Sequence, residues 1–340
     1  MKVIVIGGTG CIGKPLVDQL LQANHDVTCY NRSKNAVQFN GNVTIINGDR
    51  FNYAEFEATM KPLRFDVVID MVAFTAEDAA STLRAFGDTV SQYIFTSSAA
   101  AYNRPVRTLP ISVDEPLLGD DYADFFPYGY KKAKMELMLR EKMILGKPIT
   151  IIRPSLTYGV GKKGVGLMRN NYGICSRIIQ GKPVVVCGDG TTPYTFTFAS
   201  DLVRAYVGAV GNPLTLRQYY HATSEEVTTW DDFYIEFGKI VGVEPKIIHI
   251  PSELVDAASP VGRNLLQEKM HCGIYDNSKI KAHVSSFECT QTLSTGLRTI
   301  YDWYMSDPAL QIVNEELDSF EDELCALYYE WYRSAAALRK

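Results

Sequence analysis

Long hydrophobic runs, cysteine pairs and clusters of basic residues are all scarce in this sequence of 340 residues. No apolar run approaches the roughly 18 residues that a membrane-spanning helix needs, and the run at 3–6 is too short for the core of a signal peptide. The seven cysteines are scattered, with no Cys-x-x-Cys pair, which is typical of buried thiols in a reducing compartment. We therefore expect a cytoplasmic protein that does not associate with membranes.

Charge and histidine spacing exclude two further classes. Basic residues form no run longer than Lys131-Lys132, and the formal net charge is -5. A protein that binds duplex nucleic acid needs a basic face, so duplex binding is not expected, whereas a small anionic ligand needs only a local pocket. The five histidines show no spacing of metal ligands, and no protein-bound metal is predicted.

The first 155 residues alternate short β-branched runs with helical patterns. The runs are nearly continuous apolar stretches, as in strands that are buried on both faces of a sheet. This alternation predicts an α/β fold with a doubly wound parallel sheet of the Rossmann type. The predicted strands are 2–6, 26–30, 43–47, 66–71, 92–96 and 149–153. The predicted helices are 11–23, 53–60, 77–86 and 128–145.

The alternation ends after Arg153. Four glycines within 159–166 predict a loop, 184–186 predicts a strand, and 201–210 predicts a helix that returns to the first domain. We predict a dinucleotide-binding domain over 1–160 with a return segment at about 193–218. The remainder, 161–192 and 219–340, is predicted to form a smaller, interleaved substrate-binding domain.

The C-terminal segment carries an apolar seam on an acidic helix. The apolar residues follow alternating steps of three and four, which is typical of a helix that packs along one narrow face. The seam either packs on its own domain or contacts a second subunit, so a homodimer stays open. The seam residues are Leu310, Val313, Leu317, Phe320, Leu324, Leu327 and Trp331.

A glycine-rich segment follows the first predicted strand. Gly7, Gly10 and Gly13 lie three residues apart between a strand and a helix, and this pattern indicates a dinucleotide-binding loop. The first glycine permits a tight turn, the second lets the backbone approach a pyrophosphate, and the third lets the helix pack on the strand. The alternative G-x-x-x-x-G-K motif from Gly8 is rejected because the next residue, Pro15, has no hydroxyl for Mg²⁺.

The end of the second predicted strand bears on the choice of dinucleotide. A site specific for NAD usually carries an acid there, but Asn31 and Arg32 follow this strand, and Asp26 lies at its wrong end. Arg32, with Lys34, could bind a 2′-phosphate through charge-assisted hydrogen bonds, and a solvated loop is the alternative. The predicted cofactor is NADP or NAD, with NADP favoured.

The candidate catalytic groups lie in two segments. Ser98 follows the fifth predicted strand, and Tyr128 and Lys132 share one face of the predicted helix because they are four residues apart. Ligands of this fold bind at the carboxyl ends of the strands, where these groups and the glycine loop converge. Tyr130 and Lys134 have the same spacing. A phenol titrates at about 10, and a nearby ammonium favours the phenolate, so the tyrosine can serve as an acid or a base.

Together these motifs resemble the extended short-chain dehydrogenases/reductases, the NAD-dependent epimerase/dehydratase family, over nearly the whole chain. The matching segments are the glycine loop, 48–49, 97–102, 128–136, 153–159 and 188–202. The resemblance implies a catalytic set of Ser98, Tyr128 and Lys132, and it favours Tyr128 over Tyr130 because Glu136 lies eight residues further on. It also implies that the cofactor contacts Gly7, Thr9, Gly10, Cys11, Ile12, Gly13, Asn31, Arg32, Asp49, Val72, Ala73, Tyr128, Lys132, Pro154 and Leu156.

The sequence departs from the family at three places. Ala99 and Ala100 replace the Asp-Glu pair of dehydratases, so a 4,6-dehydratase is not expected. Tyr194 replaces the arginine that binds the substrate diphosphate in nucleotide-sugar enzymes, and 268–271 lacks the second expected arginine. Each lost charge-assisted contact is worth about 1.5–3 kcal/mol, so the substrate need not carry a nucleotide. Phosphate contacts could instead come from the variable loop, at Lys162, Lys163 and Arg169.

These observations predict an NAD(P)-dependent oxidoreductase that acts on a hydroxyl or carbonyl of a sugar-like small molecule. Epimerisation by transient oxidation is the first interpretation, and an NADPH-dependent reductase or dehydrogenase is the alternative. The Asn31-Arg32 ending also resembles a chloroplast stem-loop-binding branch of the family, which leaves open a dinucleotide-binding regulatory or RNA-binding protein. Retention of Ser98, Tyr128 and Lys132 argues against simple loss of catalysis.

Overall fold

The computed structural model describes residues 1–32, 37–161, 171–258 and 265–339. Lys34, Lys162, Lys163 and Arg169, which the sequence nominates as phosphate contacts, lie outside these ranges. The chain divides into two compact units. The first comprises Met1–Thr157, Thr197–Glu225 and Tyr275–Thr290, and the second comprises Tyr158–Phe196, Glu226–Ile274 and Gln291–Lys340. No helix within the described ranges is long and apolar enough to cross a membrane.

Strands and helices alternate through the first half of the chain and mix irregularly afterwards. The strands are β1 (Lys2–Ile6), β2 (Asp26–Asn31), β3 (Thr44–Asn47), β4 (Val67–Asp70), β5 (Gln92–Thr96), β6 (Ile149–Pro154), β7 (Thr157–Tyr158), β8 (Pro183–Cys187), β9 (Thr197–Phe198), β10 (Gln218–Ala222) and β11 (Lys246–Ile250). The helices are α1 (Gly13–Gln22), α2 (Tyr53–Met60), α3 (Ala76–Phe86), α4 (Pro127–Ile144), α5 (Gly173–Ile179), α6 (Ala199–Ala209), α7 (Trp230–Val241), α8 (Ser252–Ala258), α9 (Ser278–His283), α10 (Leu293–Met305) and α11 (Glu315–Ala336).

Within the described residues, the first unit contains a seven-stranded sheet in the order β10-β6-β5-β4-β1-β2-β3. All its neighbouring strands are parallel, with Lys2 of β1 opposite Asp26 of β2 and Val3 opposite Val67 of β4. The chain starts in the middle of the sheet, builds outward to β3, and then crosses back to build the other half. The predicted doubly wound α/β fold is confirmed.

Helices cover both faces of this sheet. Leu16 and Leu20 of α1 join Leu202 of α6 in the hydrophobic cluster on one face. Phe56 of α2 and Leu139 of α4 belong to the cluster on the other face. Burial on both faces explains why the central strands are continuous apolar runs, since every residue of β4, β5 and β6 is buried and only the first residue of β1 and of β2 is exposed.

Strand β3 does not fit the prediction that every strand is buried on both faces. Three of its four residues are exposed, and the fourth is half-buried. The reason is its place at the edge of the sheet, where it has one neighbouring strand instead of two. The apolar pair Ile45-Ile46 is typical of a central strand, so the sequence did not indicate that β3 lies at the edge of the sheet.

The second unit is built around β8 and β11, which form a parallel pair, with α11 packed against β8. Arg177 of α5 is buried and binds Asp318 at 2.8 Å, Glu321 at 3.3 Å and Asp322 at 2.9 Å. Glu321 also accepts the Val185 N–H of β8 at 2.7 Å. These bonds fix the first half of α11 to the rest of its unit.

The predicted C-terminal seam is interrupted. Leu310 lies in a separate helical turn, Pro308–Leu310, because α11 begins only at Glu315. Leu317 and Leu324 are buried, whereas Leu327 and Trp331 are 61% and 63% exposed. The first half of the seam therefore packs on its own unit and the second half does not, a difference that a regular sequence pattern cannot reveal.

Candidate active site

The glycine loop turns sharply from β1 into α1. Gly7 has φ of +94° and donates its N–H to the carbonyl of Tyr30 at 3.1 Å. A Cβ on Gly13 would lie 2.4 Å from the Gly7 carbonyl oxygen, so only glycine permits this contact between helix and strand. A Cβ on Gly10 would meet nothing within 4 Å. The loop is therefore closed against its own backbone at Gly13 and open at Gly10.

A cavity of about 270 Å³ lies in front of this loop, at the carboxyl ends of β1 to β4. It brings together many residues that the sequence nominates for cofactor binding, namely Gly7, Thr9, Gly10, Asn31, Arg32, Asp49 and Val72. Tyr30, Arg50, Phe51 and Phe74 also line it and were missed. Arg50 and Phe51 directly follow Gly48-Asp49, after the end of β3. A basic residue next to an aromatic residue at the end of a strand was the sequence signal that could have identified them as ligand-binding residues.

The lining of the cavity suits a ligand that is both aromatic and polar. The exposed rings of Phe51 and Phe74 stack with centroids 6.4 Å apart and an angle of 21°. The Tyr30 hydroxyl and the Nε and Nη1 atoms of Arg50 are buried and have no hydrogen-bond partner among the residues described. Buried polar atoms are normally satisfied, so these donors fit a base and ribose of a dinucleotide.

Lys132 is held in place by two main-chain carbonyls. Its ammonium donates to Ala73 at 2.6 Å and to Thr96 at 2.7 Å, after β4 and at the end of β5. The side chain is buried, and its Nζ lies 4.9 Å from the centre of the Phe74 ring. Burial lowers the pKa of Lys132 to about 8, although Asp70, Asp78 and Glu136 oppose that change. A lysine whose pKa is this close to neutral pH is typical of a functional site.

The structure separates the two Tyr-x3-Lys pairs by environment. The Lys134 side chain is 39% exposed and binds Asp120 at 2.6 Å, and the Tyr130 hydroxyl donates to the same carboxylate at 3.1 Å. Tyr128, by contrast, lies at the start of α4, one turn before buried Lys132. Lys134 and Asp120 form an ordinary surface ion pair, and Tyr130 adds a hydrogen bond to the same carboxylate.

Ser98 and Tyr128 belong to segments that pack directly together. The Ser98 hydroxyl accepts the Ala100 N–H at 3.1 Å, which caps a short helical turn at Ala99–Ala101. A Cβ on Gly129 would lie 2.4 Å from the Ala100 carbonyl oxygen. Glycine after Tyr128 thus lets the first turn of α4 contact the turn that follows Ser98.

A buried polar chain lies behind this contact. The Ser97 hydroxyl donates to Glu136 at 3.0 Å, and Glu136 accepts the Nε–H of Arg153 at 2.8 Å. Arg153 in turn donates to the Tyr102 hydroxyl at 2.5 Å, which lies 3.0 Å from Nδ1 of His221. Sequence reasoning missed His221, because nothing local marks a histidine on β10 as a partner of residues more than 60 positions away.

Electrostatics within this chain follow from burial and pairing. Burial alone would raise the pKa of Glu136, but Arg153 and Arg140 hold it below its ordinary value. Burial lowers the pKa of His221 to about 4, so the imidazole is neutral at physiological pH. The chain thus holds one carboxylate between two guanidinium groups, next to the segment that carries Ser98.

The remaining nominated cofactor residues do not line the cavity. Ile12 packs on the hydrophobic core, Ala73 is buried and presents its carbonyl to Lys132, and Pro154 ends β6. The Leu156 carbonyl accepts the Thr197 N–H at 3.0 Å. Cys11, Gly13, Tyr128 and Lys132 also lie outside the lining. The cavity therefore covers one end of the predicted dinucleotide site.

The departures from the family pattern have a packing explanation. In the second unit Tyr194 is buried, with its ring 5.2 Å from Trp230 and 5.6 Å from Phe196. It is a core residue and does not substitute for a phosphate-binding arginine. In the first unit Ala99 and Ala100 are buried and offer no acid or base beside Ser98. Across the described residues no group of three His, Cys, Asp or Glu side chains could hold a metal ion.

Comparison with known proteins gives consistent matches. Residues 3–221 match the model of the NAD dependent epimerase/dehydratase family. The chain is 27% identical over 269 residues to the chloroplast stem-loop binding protein of 41 kDa b of Arabidopsis thaliana, covering 73% of this chain and 65% of that protein. It is 25% identical over 259 residues to 2'-dehydrokanamycin reductase of Streptomyces kanamyceticus, covering 74% of this chain and 70% of the reductase.

A solved structure supports the same grouping at the level of fold. UDP-glucose 4-epimerase from Bifidobacterium longum, determined in complex with NAD+ and UDP, matches with a TM-score of 0.72 and 19% identity. The match covers 92% of this chain and 100% of that one. Because the family model spans well over half of the residues, the chain belongs to the NAD dependent epimerase/dehydratase family.

Proposed function

We propose that this protein is an NAD(P)-dependent oxidoreductase that interconverts a carbinol and a ketone of a sugar-like substrate. The observation that carries the proposal is the placement of Lys132. Its buried ammonium is bound by carbonyls after β4 and at the end of β5, at the edge of the sheet where ligands of this fold bind. An ordinary surface lysine one turn after a tyrosine would have neither burial nor two carbonyl partners.

The glycine loop and the cavity would hold the dinucleotide. Gly10 leaves room for a pyrophosphate beside the start of α1, where the positive end of the helix dipole favours an anion. Asp49, Phe51 and Phe74 line the part of the cavity that suits the adenosine. When bound, the nicotinamide accepts and returns hydride, which is the chemistry that no amino-acid side chain supplies.

The chain's own groups would move the proton. Tyr128 takes the proton of the substrate hydroxyl as the carbinol is oxidised and returns it when the ketone is reduced. The Lys132 ammonium stabilises the phenolate form of Tyr128 through its charge, and its third N–H donates to a ribose hydroxyl. Ser98 donates a hydrogen bond to the reacting oxygen and so orients it.

Epimerisation is the net reaction that we propose: the substrate ketone would rotate within the site, so that its opposite face is reduced and the configuration of the carbinol is inverted. The Bifidobacterium structure is that of an epimerase, which supports this proposal. A net NADPH-dependent reductase is the second candidate. Two observations favour the reductase. Arg32 lines the cavity, and no acidic residue stands at the end of β2. One of the relatives is named as a reductase.

The experiment that tests the proposal is a mass spectrum and an absorbance scan of the small molecules released when the freshly purified chain is denatured. Retained NAD or NADP would identify the dinucleotide and favour an epimerase, because an epimerase regenerates its cofactor. A chain that is purified empty and then binds NADPH more tightly than NADH would favour the reductase. If no dinucleotide is retained or bound, the oxidoreductase proposal fails, and the RNA-binding alternative suggested by the Arabidopsis relative takes its place.

A further inference from the structure

The loop between β4 and α3, residues 71–75, supplies one of the two carbonyls that bind Lys132. Two buried carboxylates fix this loop from inside the first unit. Asp70 accepts the Val72 N–H at 3.0 Å, and Asp78 accepts the N–H groups of residues 74–75, each at 2.8 Å. The position of the Lys132 ammonium therefore depends on carboxylates that do not touch it.

Arg50 binds both of these acidic residues. Its Nη2 atom donates to the Asp70 carboxylate at 2.6 Å, to the Asp78 carbonyl at 2.8 Å and to the Thr82 hydroxyl at 2.6 Å. The Thr82 hydroxyl itself donates to Asp70 at 2.6 Å. Arg50 and Asp70 are each almost fully buried. Removal of the guanidinium would leave the buried Asp70 carboxylate without its ion-pair partner, which strongly perturbs its surroundings.

The same arginine lines the dinucleotide cavity and keeps its two other nitrogens unpaired among the described residues. Arg50 belongs to the lining of the cavity, and its Nε and Nη1 atoms bind no group that the described residues provide. A guanidinium carries five N–H donors in a fixed planar arrangement. One side chain can therefore bind the loop anchor through one nitrogen and an occupant of the cavity through the other two.

We propose that Arg50 is a positioning residue for Lys132. Through Asp70 it holds the loop whose Ala73 carbonyl binds the ammonium, and through Nε and Nη1 it contacts the adenosine part of the dinucleotide. The inference rests on the proposed function, because it joins the cofactor site and the catalytic lysine in one hydrogen-bonded network. Occupation of the cavity then favours the lysine position that catalysis needs.

The first test requires neither dinucleotide nor substrate. Lysine acetylation of the full chain is followed by mass spectrometry, and Arg50→Met is expected to raise the acetylation rate of Lys132 by about tenfold, since its anchoring loop loosens locally. Lys269, a buried lysine of the second unit, is the internal control and stays protected. Arg84→Met removes an exposed arginine of α3 and is expected to leave both rates at the wild-type values.

Two outcomes of this footprint overturn the proposal. If Lys132 is acetylated in Arg50→Met as slowly as in the wild-type chain, Arg50 does not position it. An equal loss of protection at Lys132 and Lys269 shows general unfolding and no specific link. If Arg50→Met does not fold, Arg50→Lys keeps the charge beside Asp70 but lacks the branched donors, and a smaller, Lys132-specific increase is expected.

The second test separates positioning from simple binding. Arg50→Met is expected to lower both the affinity for NAD(P)H and kcat at saturating cofactor and substrate by about tenfold or more, with partial recovery in Arg50→Lys. A kcat equal to that of the wild-type chain would reduce Arg50 to a binding group and overturn the proposal. If the wild-type chain binds no dinucleotide, the proposed function fails, and the acetylation footprint alone then decides whether Arg50 positions Lys132.

Discussion

Glu136 of α4 and Arg153 of β6 form an ion pair that is closed to solvent on both sides. Glu136 also accepts from Ser97 and from Arg140, and Arg153 also donates to Tyr102. A buried pair of this kind adds little net stability, but either charge without its partner is destabilising. Its effect is to fix the relative positions of the segment that carries Ser98 and the helix that carries Lys132.

Removal of the Glu136 charge should therefore destabilise the first unit. Glu136→Gln leaves the Arg153 guanidinium buried beside Arg140, and we expect the free energy of unfolding to fall by about 3–5 kcal/mol in urea denaturation. Glu141→Gln, an exposed change on the same helix, is the control and should have an effect within about 0.5 kcal/mol. The double variant Glu136→Gln/Arg153→Met should recover much of the loss, and a loss equal to the sum of the two single changes would contradict the pairing.

The second and third glycines of the loop, Gly10 and Gly13, should respond differently to substitution by alanine: the first change should affect binding and the second should affect stability. Gly10→Ala adds a Cβ that meets no atom of the chain, so stability should change by less than about 0.5 kcal/mol, while dinucleotide affinity falls by about tenfold or more because the methyl group occupies pyrophosphate space. Gly13→Ala forces a Cβ against the Gly7 carbonyl and should destabilise the chain by about 1–3 kcal/mol. Calorimetric titration and thermal unfolding measure the two effects. Undiminished affinity in Gly10→Ala would contradict the placement of the pyrophosphate.

Tyr128 should be essential for turnover and nearly irrelevant to cofactor affinity. Tyr128→Phe removes the hydroxyl that transfers the proton, and we expect turnover to fall by about 10²–10⁴-fold with dinucleotide affinity little changed. The matched control is Tyr130→Phe, which removes a surface hydrogen bond to Asp120 and should leave turnover intact. Turnover is measured on the substrate found by screening sugar-like compounds with the purified chain. Unchanged turnover in Tyr128→Phe would eliminate Tyr128 as the acid-base group.

Arg32 should discriminate between the two dinucleotides. A charge-assisted hydrogen bond to a 2′-phosphate is worth about 1.5–3 kcal/mol, so Arg32→Ala is expected to weaken NADPH binding by about 10–100-fold and NADH binding hardly at all. Lys14→Ala removes a neighbouring cation that pairs with Asp18 and should not change the ratio of the two affinities. Equal weakening of NADH and NADPH by Arg32→Ala would remove the 2′-phosphate assignment.

Glu321 should make the second unit less stable as the pH rises. Burial raises the pKa of Glu321 to about 7, although Arg177 lies 3.3 Å away. The folded chain then keeps a proton that the unfolded chain loses between about pH 4.5 and 7, so the free energy of unfolding falls across that window. Glu321→Gln cannot titrate and should lack this slope, so its stability relative to the wild-type chain should rise by on the order of 3 kcal/mol between about pH 4.5 and pH 8. Parallel stability curves for the two proteins from pH 5 to 8 would show that Glu321 titrates normally.

The sequence by itself determined the local elements and the type of fold. The bounds of β1, β5 and α2 agree with the predicted ones, and α1 begins two residues late because residues 10–12 form the turn of the glycine loop. Strands that are buried on both faces are continuous apolar runs, and a glycine loop after the first of them marks the ligand edge of the sheet. Hydrophobic periodicity and the residue preferences of turns are local properties, so they can be recognised in a single sequence.

Only the tertiary structure decided which polar groups meet. Arg50 binds Asp70 across 20 residues, and Lys132 binds Ala73 across 59. Lys132 and Lys134 are two residues apart with the same spacing to a tyrosine, yet one is buried against two carbonyls and the other binds a surface acid. The edge position of β3 likewise follows from strand order and not from composition. The physical reason is that burial and charge pairing depend on which distant elements pack together, and no local pattern in the sequence records that choice.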